Sequence, residues 1–228
     1  MFRNILFDLD DTILDFGAAE RVAVSKAFRQ VGLEPTEALL RRYSEINCSQ
    51  WEAFERGEIT RDTVLIRRFQ LLFQELGVNI DAQSCEDIYM EYLGIGHYFV
   101  EGAEELLETL YPEYRLYIVS NGVAATQDSR LASAGISHYF GDIFISEKTG
   151  YHKPEPEYFD YCFARIPDFQ PEETLIVGDS LTSDIKGGRD AGIRTCWFNP
   201  GRKPGRPDIV PDYEVHRLME IPEILKEK

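Results

Sequence analysis

Asn4-Ile5-Leu6-Phe7-Asp8-Leu9-Asp10-Asp11-Thr12 is the stretch on which the fold turns. A short apolar run reads as a buried strand and stops abruptly at a group of acids. Three further segments have the same character. Arg115 to Val119 runs into Ser120-Asn121-Gly122, and Thr174 to Val177 runs into Gly178-Asp179-Ser180, with Asp184 five residues past Asp179. Between them lies Lys153-Pro154. Open α/β sheets gather their ligands outside the carboxyl ends of the strands. A parallel sheet therefore brings all four segments, each able to handle phosphate or a divalent metal, to one edge.

The pattern between these segments supports such a sheet. From about Phe16 to Tyr98 apolar residues recur at helical spacing, as in Val24, Ala27, Phe28 and Val31, and again in Phe69, Leu72, Phe73 and Leu76. Gly32 and Gly77 follow these stripes where helix-terminating glycines belong. No strand interrupts the region, which reads as a helical insertion after the first strand. Beyond it, helices and strands alternate. Helical stripes at Ala103, Leu106, Leu107 and Leu110 and at Phe159, Cys162, Phe163 and Ile166 separate strand candidates at 115–119, 142–145, 174–177 and 195–198. A helix is expected after Gly122 and a short one at 187–191, while Asn199 to Pro211 reads as loop. The fold class is α/β, a doubly wound parallel sheet.

Each segment has a chemical and an ordinary reading. Asp8 and Asp10, two apart at a strand end, point to the same side if the extended backbone continues. Two carboxylates so close need a cation between them or a retained proton. Asp8 is then a candidate nucleophile towards phosphorus, and Asp10 a candidate acid and base. On its own, D-x-D equally describes a solvated acidic turn. Ser120 and Asn121, at the start of a helix, suit phosphate oxygens, although Asn-Gly is also a common turn. Lys153, held extended by the proline after it, suits a phosphate or the charge of the nucleophile, yet a lone lysine is usually solvated. Mg²⁺ takes oxygen ligands, among them one or two carboxylates. Asp8, the Asp10 carbonyl and Asp179 fit that role, with Asp184 anchoring them or acting as a helix-start acid.

Composition narrows the partners. In 228 residues, 24 Lys and Arg face 40 Asp and Glu, a formal charge of −16. Such a surface repels phosphate backbones, which argues against nucleic acid or an anionic membrane. No apolar run approaches the roughly 20 residues that span a bilayer, and Ile5-Leu6-Phe7 is too short for a signal-peptide core, so a cytoplasmic location is expected. The four cysteines and four histidines are dispersed, with no zinc-ligand spacing and no pairing that implies disulfides.

Taken together, FDLDDT, VSNG, K-P and GDSLTSD in this order resemble the haloacid dehalogenase-like (HAD) hydrolase superfamily, and the resemblance covers the chain almost end to end. It implies a Rossmann-like core of residues 1–15 and 99–228 and a helical C1-type cap of residues 16–98. It also implies Asp8 as nucleophile, Asp10 as general acid and base, Ser120, Asn121 and Lys153 as phosphate-binding residues, and Mg²⁺ at Asp8, Asp10 and Asp179 with Asp184 nearby. Segments such as Trp51 to Thr60, Gln127 to Leu131 and Ala191 to Asn199 resemble the bacterial pyrimidine 5′-nucleotidases of the YjjG type. The implied substrate is a small phosphorylated metabolite, a nucleoside monophosphate, for a monomer or small homo-oligomer. Trp51 and Phe54, i and i+3 on a helix, are candidates to stack on a base and equally candidates for cap core. Phosphoglycolate or sugar-phosphate hydrolysis, phosphomutase chemistry, haloacid dehalogenation and a non-catalytic phosphometabolite-binding role are the alternatives. Retention of Asp10 and Asp179 favours phosphate chemistry over dehalogenation.

Overall fold

The computed structural model describes residues 1–226. It divides into two compact units, Met1–Phe16 together with the chain from His97 onward, and Gly17–Gly96. The first unit is built on six parallel strands, β1 (Asn4–Phe7), β2 (Arg115–Ser120), β3 (Phe140–Ile145), β4 (Thr174–Gly178), β5 (Arg194–Phe198) and β6 (Tyr213–Val215). Their order across the sheet is β3-β2-β1-β4-β5-β6. The parallel Rossmann-like sheet read from the sequence is thus present. β1 pairs on both sides, Phe7 lying opposite Ile118 of β2 and Val177 of β4.

The second unit consists of α1 (Phe16–Gln30), which begins one residue before it, α2 (Glu37–Glu55), α3 (Arg61–Leu76) and α4 (Ala82–Gly94). Side-chain oxygens cap three of their N-termini: Thr36 accepts from Leu39 N, Thr60 from Thr63 N and Asp81 from Ser84 N. Gly77 closes α3 with φ 65°, a left-handed conformation that favours glycine. The four helices converge on fully buried Phe28, Tyr43, Phe69 and Tyr89. This core also holds charge. Arg68, 1% exposed, is bidentate to Glu86 and donates to Asn47 Oδ1, which in turn donates through Nδ2 to Glu20.

In the first unit, α5 (Ala103–Leu110), α6 (Ala124–Ala134), α7 (Ser146–Thr149), α8 (Pro156–Phe163), α9 (Lys186–Asp190) and α10 (Ile221–Lys226) complete the layers. Alternation along the strands sends successive side chains to opposite faces. Ile5, Phe7, Leu116, Ile118, Leu175 and Val177 join Leu106, Leu107 and Leu110 of α5, Leu131 of α6, and Ile221 and Leu225 of α10. Leu6, Tyr117, Val119 and Ile176 join Tyr158, Phe159 and Cys162 of α8. Each large apolar side chain so buried stabilises the fold by about 1.5–3 kcal/mol.

Two details depart from the pattern read in the sequence. The helical stripe through Ile166 stops earlier, because α8 ends at Phe163 and Ile166 is buried beyond it. β6 and α10 carry no clear periodic signal, being three and six residues long.

Candidate functional site

Chain direction brings the acidic and basic segments together. Asp8 directly follows β1, and its backbone N–H donates to Val177 O at 2.9 Å. Ser120 is the last residue of β2. Gly178 ends β4, so Asp179 leaves the sheet beside Asp8. β1 and β4 are the strands between which the winding direction reverses, the crevice where open sheets bind ligands.

Lys153 lies at the centre of the group. Its ammonium donates to Asp8 Oδ1 at 2.6 Å, Asp184 Oδ1 at 2.6 Å and the Val119 carbonyl at 2.8 Å. All three of its donors are therefore used, and the residue is 1% exposed. Burial alone lowers a lysine's affinity for its proton, but Asp184 and Asp8 outweigh burial and raise the pKa. The loop carrying it is clasped by Asn121, whose side chain donates to Lys153 O at 2.9 Å and accepts from Lys153 N at 2.8 Å. The Asn121 side chain, proposed from the sequence for phosphate, holds the lysine in place. The Lys153–Pro154 peptide bond is cis.

Oxygens of Asp8, Asp179 and Asp184 lie within 4.8 Å of one another. Asp184 is fully buried in a π-helical turn, Leu181–Ile185, and also accepts from Ser180 N. A Cβ at position 178 would overlap its carboxylate, so only glycine leaves room for it. Burial, reinforced by Asp184 and Asp11, pushes the Asp179 carboxyl up to about 8. Burial also holds Asp8 well above the ordinary carboxylate range, against the pull of Lys153. With all three ionised, one ammonium leaves the cluster two charges short of neutrality. An all-oxygen donor set with that deficit fits a divalent cation such as Mg²⁺. The clustered carboxylates are those of Asp8, Asp179 and Asp184; the sequence reading adds the Asp10 backbone carbonyl as a further proposed ligand.

The Asp10 carboxylate faces another set of partners. It pairs with the buried guanidinium of Arg130 through Oδ1 and accepts from Gln127 Nε2 at 2.6 Å through Oδ2. Gln127 Nε2 also donates to Ser120 Oγ at 2.9 Å. Neither Gln127 nor Arg130 was singled out from the sequence for a role at the site, although both lie in the nucleotidase-like segment 127–131. Their signal is weak because polar residues one helical turn apart on α6 look like a solvated face. The first N–H of α6, at Ala124, is taken by the Glu147 carboxylate at 2.6 Å. Thr12, last of the opening motif, is fully buried.

In the helical unit, Trp51 and Phe54 meet edge to face with ring centroids 5.7 Å apart. Phe54 is buried and carries the Arg61 guanidinium over its ring, the surroundings of a packed core residue, while Trp51 is half-buried. Among the described residues no helix is long and apolar enough to cross a membrane.

A sheet of this order, with acids after β1 and β4 converging on a buried lysine, defines a phosphate- and metal-handling α/β hydrolase of the HAD type. Residues 5–198 match the model of the haloacid dehalogenase-like hydrolase family, and the chain belongs to that family. It is 48% identical over 224 residues to YfnB of Bacillus subtilis (strain 168), covering 98% of this chain and 95% of that protein. A crystal structure of YfnB bound to magnesium superposes with a TM-score of 0.95, at 47% identity and with 99% of each chain covered. The pyrimidine 5′-nucleotidase PynA of Streptococcus pneumoniae (strain ATCC BAA-255 / R6) is 36% identical over 96% of this chain and 93% of its own. YjjG of Escherichia coli (strain K12), also a pyrimidine 5′-nucleotidase, is 28% identical over 97% of this chain and 96% of its own. The resemblance drawn from the motifs is borne out.

Proposed function

We propose that the protein is a Mg²⁺-dependent phosphomonoester hydrolase that acts through an aspartyl-phosphate and takes pyrimidine nucleoside 5′-monophosphates. The observation that carries this reading is the Asp8 carboxylate, held by Lys153 at the end of the central strand beside Asp179 and Asp184. The substrate class rests on the similarity to PynA and YjjG over nearly the full chain.

In this mechanism an oxygen of Asp8 attacks phosphorus and the bond to the ester oxygen breaks. Asp10 supplies the proton that the leaving alkoxide needs. It then takes a proton from the water that attacks the phosphorylated Asp8, which releases inorganic phosphate, frees the Asp8 carboxylate and returns Asp10 to its protonated form. Asp8 and Asp179, with Asp184 beside them, would hold Mg²⁺, which would supply charge stabilisation to the phosphoryl oxygens. Lys153 fixes the attacking carboxylate through one oxygen, leaving the other for phosphorus. Ser120 offers a hydroxyl to a phosphate oxygen.

The test is phosphate release from UMP, dUMP, dTMP, purine monophosphates, sugar phosphates and phosphoglycolate, with Mg²⁺ and with EDTA. Metal-dependent preference for the pyrimidine nucleotides is expected, with Asp8→Asn folded but inactive. Preference for a sugar phosphate or phosphoglycolate overturns the substrate, and release of no phosphate from any of them overturns the reaction.

A further inference from the structure

Four buried or part-buried groups beside Asp8 form one chain of hydrogen bonds whose direction is fixed by chemistry. Arg130 can only donate, and the Asp10 carboxylate, when ionised, only accepts. Gln127 lies between them, with Oε1 3.1 Å from Arg130 Nη1 and Nε2 2.6 Å from Asp10 Oδ2. The amide therefore has one possible orientation, carbonyl towards Arg130 and NH₂ towards Asp10. The second hydrogen of that NH₂ goes to Ser120 Oγ at 2.9 Å, and Gly122 N donates to the same oxygen at 3.1 Å. Both lone pairs of the Ser120 hydroxyl are thus filled. Ser120 is 1% exposed, and its hydroxyl hydrogen has no acceptor among the described residues. A serine hydroxyl normally rotates to suit its surroundings; this one is left only the role of donor.

Gly122 belongs to the same arrangement. A Cβ there would strike the Gln127 side chain, whose atoms are the three nearest to that position. Glycine at 122 is what lets the amide lie across the end of β2.

We propose that Gln127, oriented by Arg130, is a positioning residue that makes Ser120 an obligate hydrogen-bond donor to the phosphate oxygen and links it to Asp10. The inference rests on the phosphomonoesterase reading and adds to it a residue that acts through Ser120. Removing the amide lets the Ser120 hydroxyl turn away. Replacing its NH₂ by oxygen does more, because a carboxylate draws the hydroxyl hydrogen towards itself and repels Asp10. Shape is nearly unchanged in both cases, so a residue that merely fills space tolerates both.

The experiment is a double-mutant cycle on inorganic phosphate binding to the Mg²⁺-loaded protein, measured by calorimetry, with thermal melts of every variant. Gln127→Met is expected to weaken phosphate binding about tenfold, the loss of one net hydrogen bond. In a Ser120→Ala background the same change is expected to have almost no effect. Gln127→Glu, the closer match in shape, is expected to weaken binding more than Gln127→Met. Equal weakening by Gln127→Met with and without Ser120, or normal phosphate binding in folded Gln127→Glu, overturns the proposal. Absence of phosphate binding by the unaltered protein overturns the phosphomonoesterase reading and this inference with it.

Discussion

Asp184→Asn removes one buried charge from beside the metal site and turns one of its two hydrogen-bond acceptors into a donor. The side chain is fully buried, accepts from Lys153 through Oδ1 and from Ser180 N through Oδ2, and packs where Gly178 leaves space. Asparagine preserves that shape and removes the charge. With every carboxylate ionised, the three acids and Lys153 sum to −2; the variant sums to −1. A divalent ion held among oxygens no more than 4.8 Å apart feels the lost charge at that distance or less. Coulomb's law at roughly 5 Å gives about 1.7 kcal/mol even with the dielectric constant of water. Groups that orient metal ligands generally contribute 10–100-fold in affinity, or about 1.4–2.8 kcal/mol. The Mg²⁺ concentration giving half-maximal activity should therefore rise about 10–100-fold. The Mg²⁺-induced increase in melting temperature should need correspondingly more ion. Melting in EDTA reports separately on whether the variant is folded. A midpoint within a factor of about two of the parent, in a folded variant, would falsify the assignment of Asp184 to the metal's surroundings.

Three further predictions concern buried groups outside the acidic cluster. Arg68→Met strands Glu86 without its partner in the helical unit and should destabilise it by about 3–5 kcal/mol, whereas adding Glu86→Leu should recover most of the loss; urea melts that rank the double variant no better than the single one would refute this. Burial pushes the thiols of Cys85, Cys162 and Cys196 up to about 12, while Cys48 is exposed. At pH 8 one thiol should react rapidly with a disulfide reagent and four after unfolding, and a second fast thiol in the native protein would contradict the packing. The same shift gives a pH dependence, because the unfolded chain loses these protons near the ordinary thiol pKa of about 8.5 and the folded one does not. Stability should be unaffected by these groups below that pH and fall as pH rises towards 12.

The site was legible wherever a strand end and a reactive residue coincide. Asp8, Ser120 and Asp179 follow apolar runs directly, so one rule about parallel sheets locates all three. Lys153 was legible as a residue but not as a junction, since nothing local says that its ammonium reaches both Asp8 and Asp184. Gln127 and Arg130 escaped because their significance lies across more than 100 residues of chain, in contacts with Asp10. The helical insertion was readable from its 3.6-residue stripes, whereas the ion pair of Arg68 and Glu86 inside it was not. β6 was missed for a different reason. It is three residues long and follows the Pro- and Gly-rich loop from β5 with no intervening helix, so the alternation that revealed the other strands is broken there.

The central position of β1 has a consequence for how the chain acquires its structure during synthesis. Asn4 pairs with Arg115 and Thr174, so β1 waits for partners more than a hundred residues further along the chain. Gly17–Gly96, by contrast, is one continuous segment with its own core. Local contacts form early and long-range strand pairing forms late. The inserted helices are therefore able to fold before the sheet, while β1 stays an unpaired apolar strand until β2 emerges. Asp8 gains the company of Asp179 and Asp184 only once β4 pairs with β1, so the acidic cluster assembles after the helical insertion and after β2.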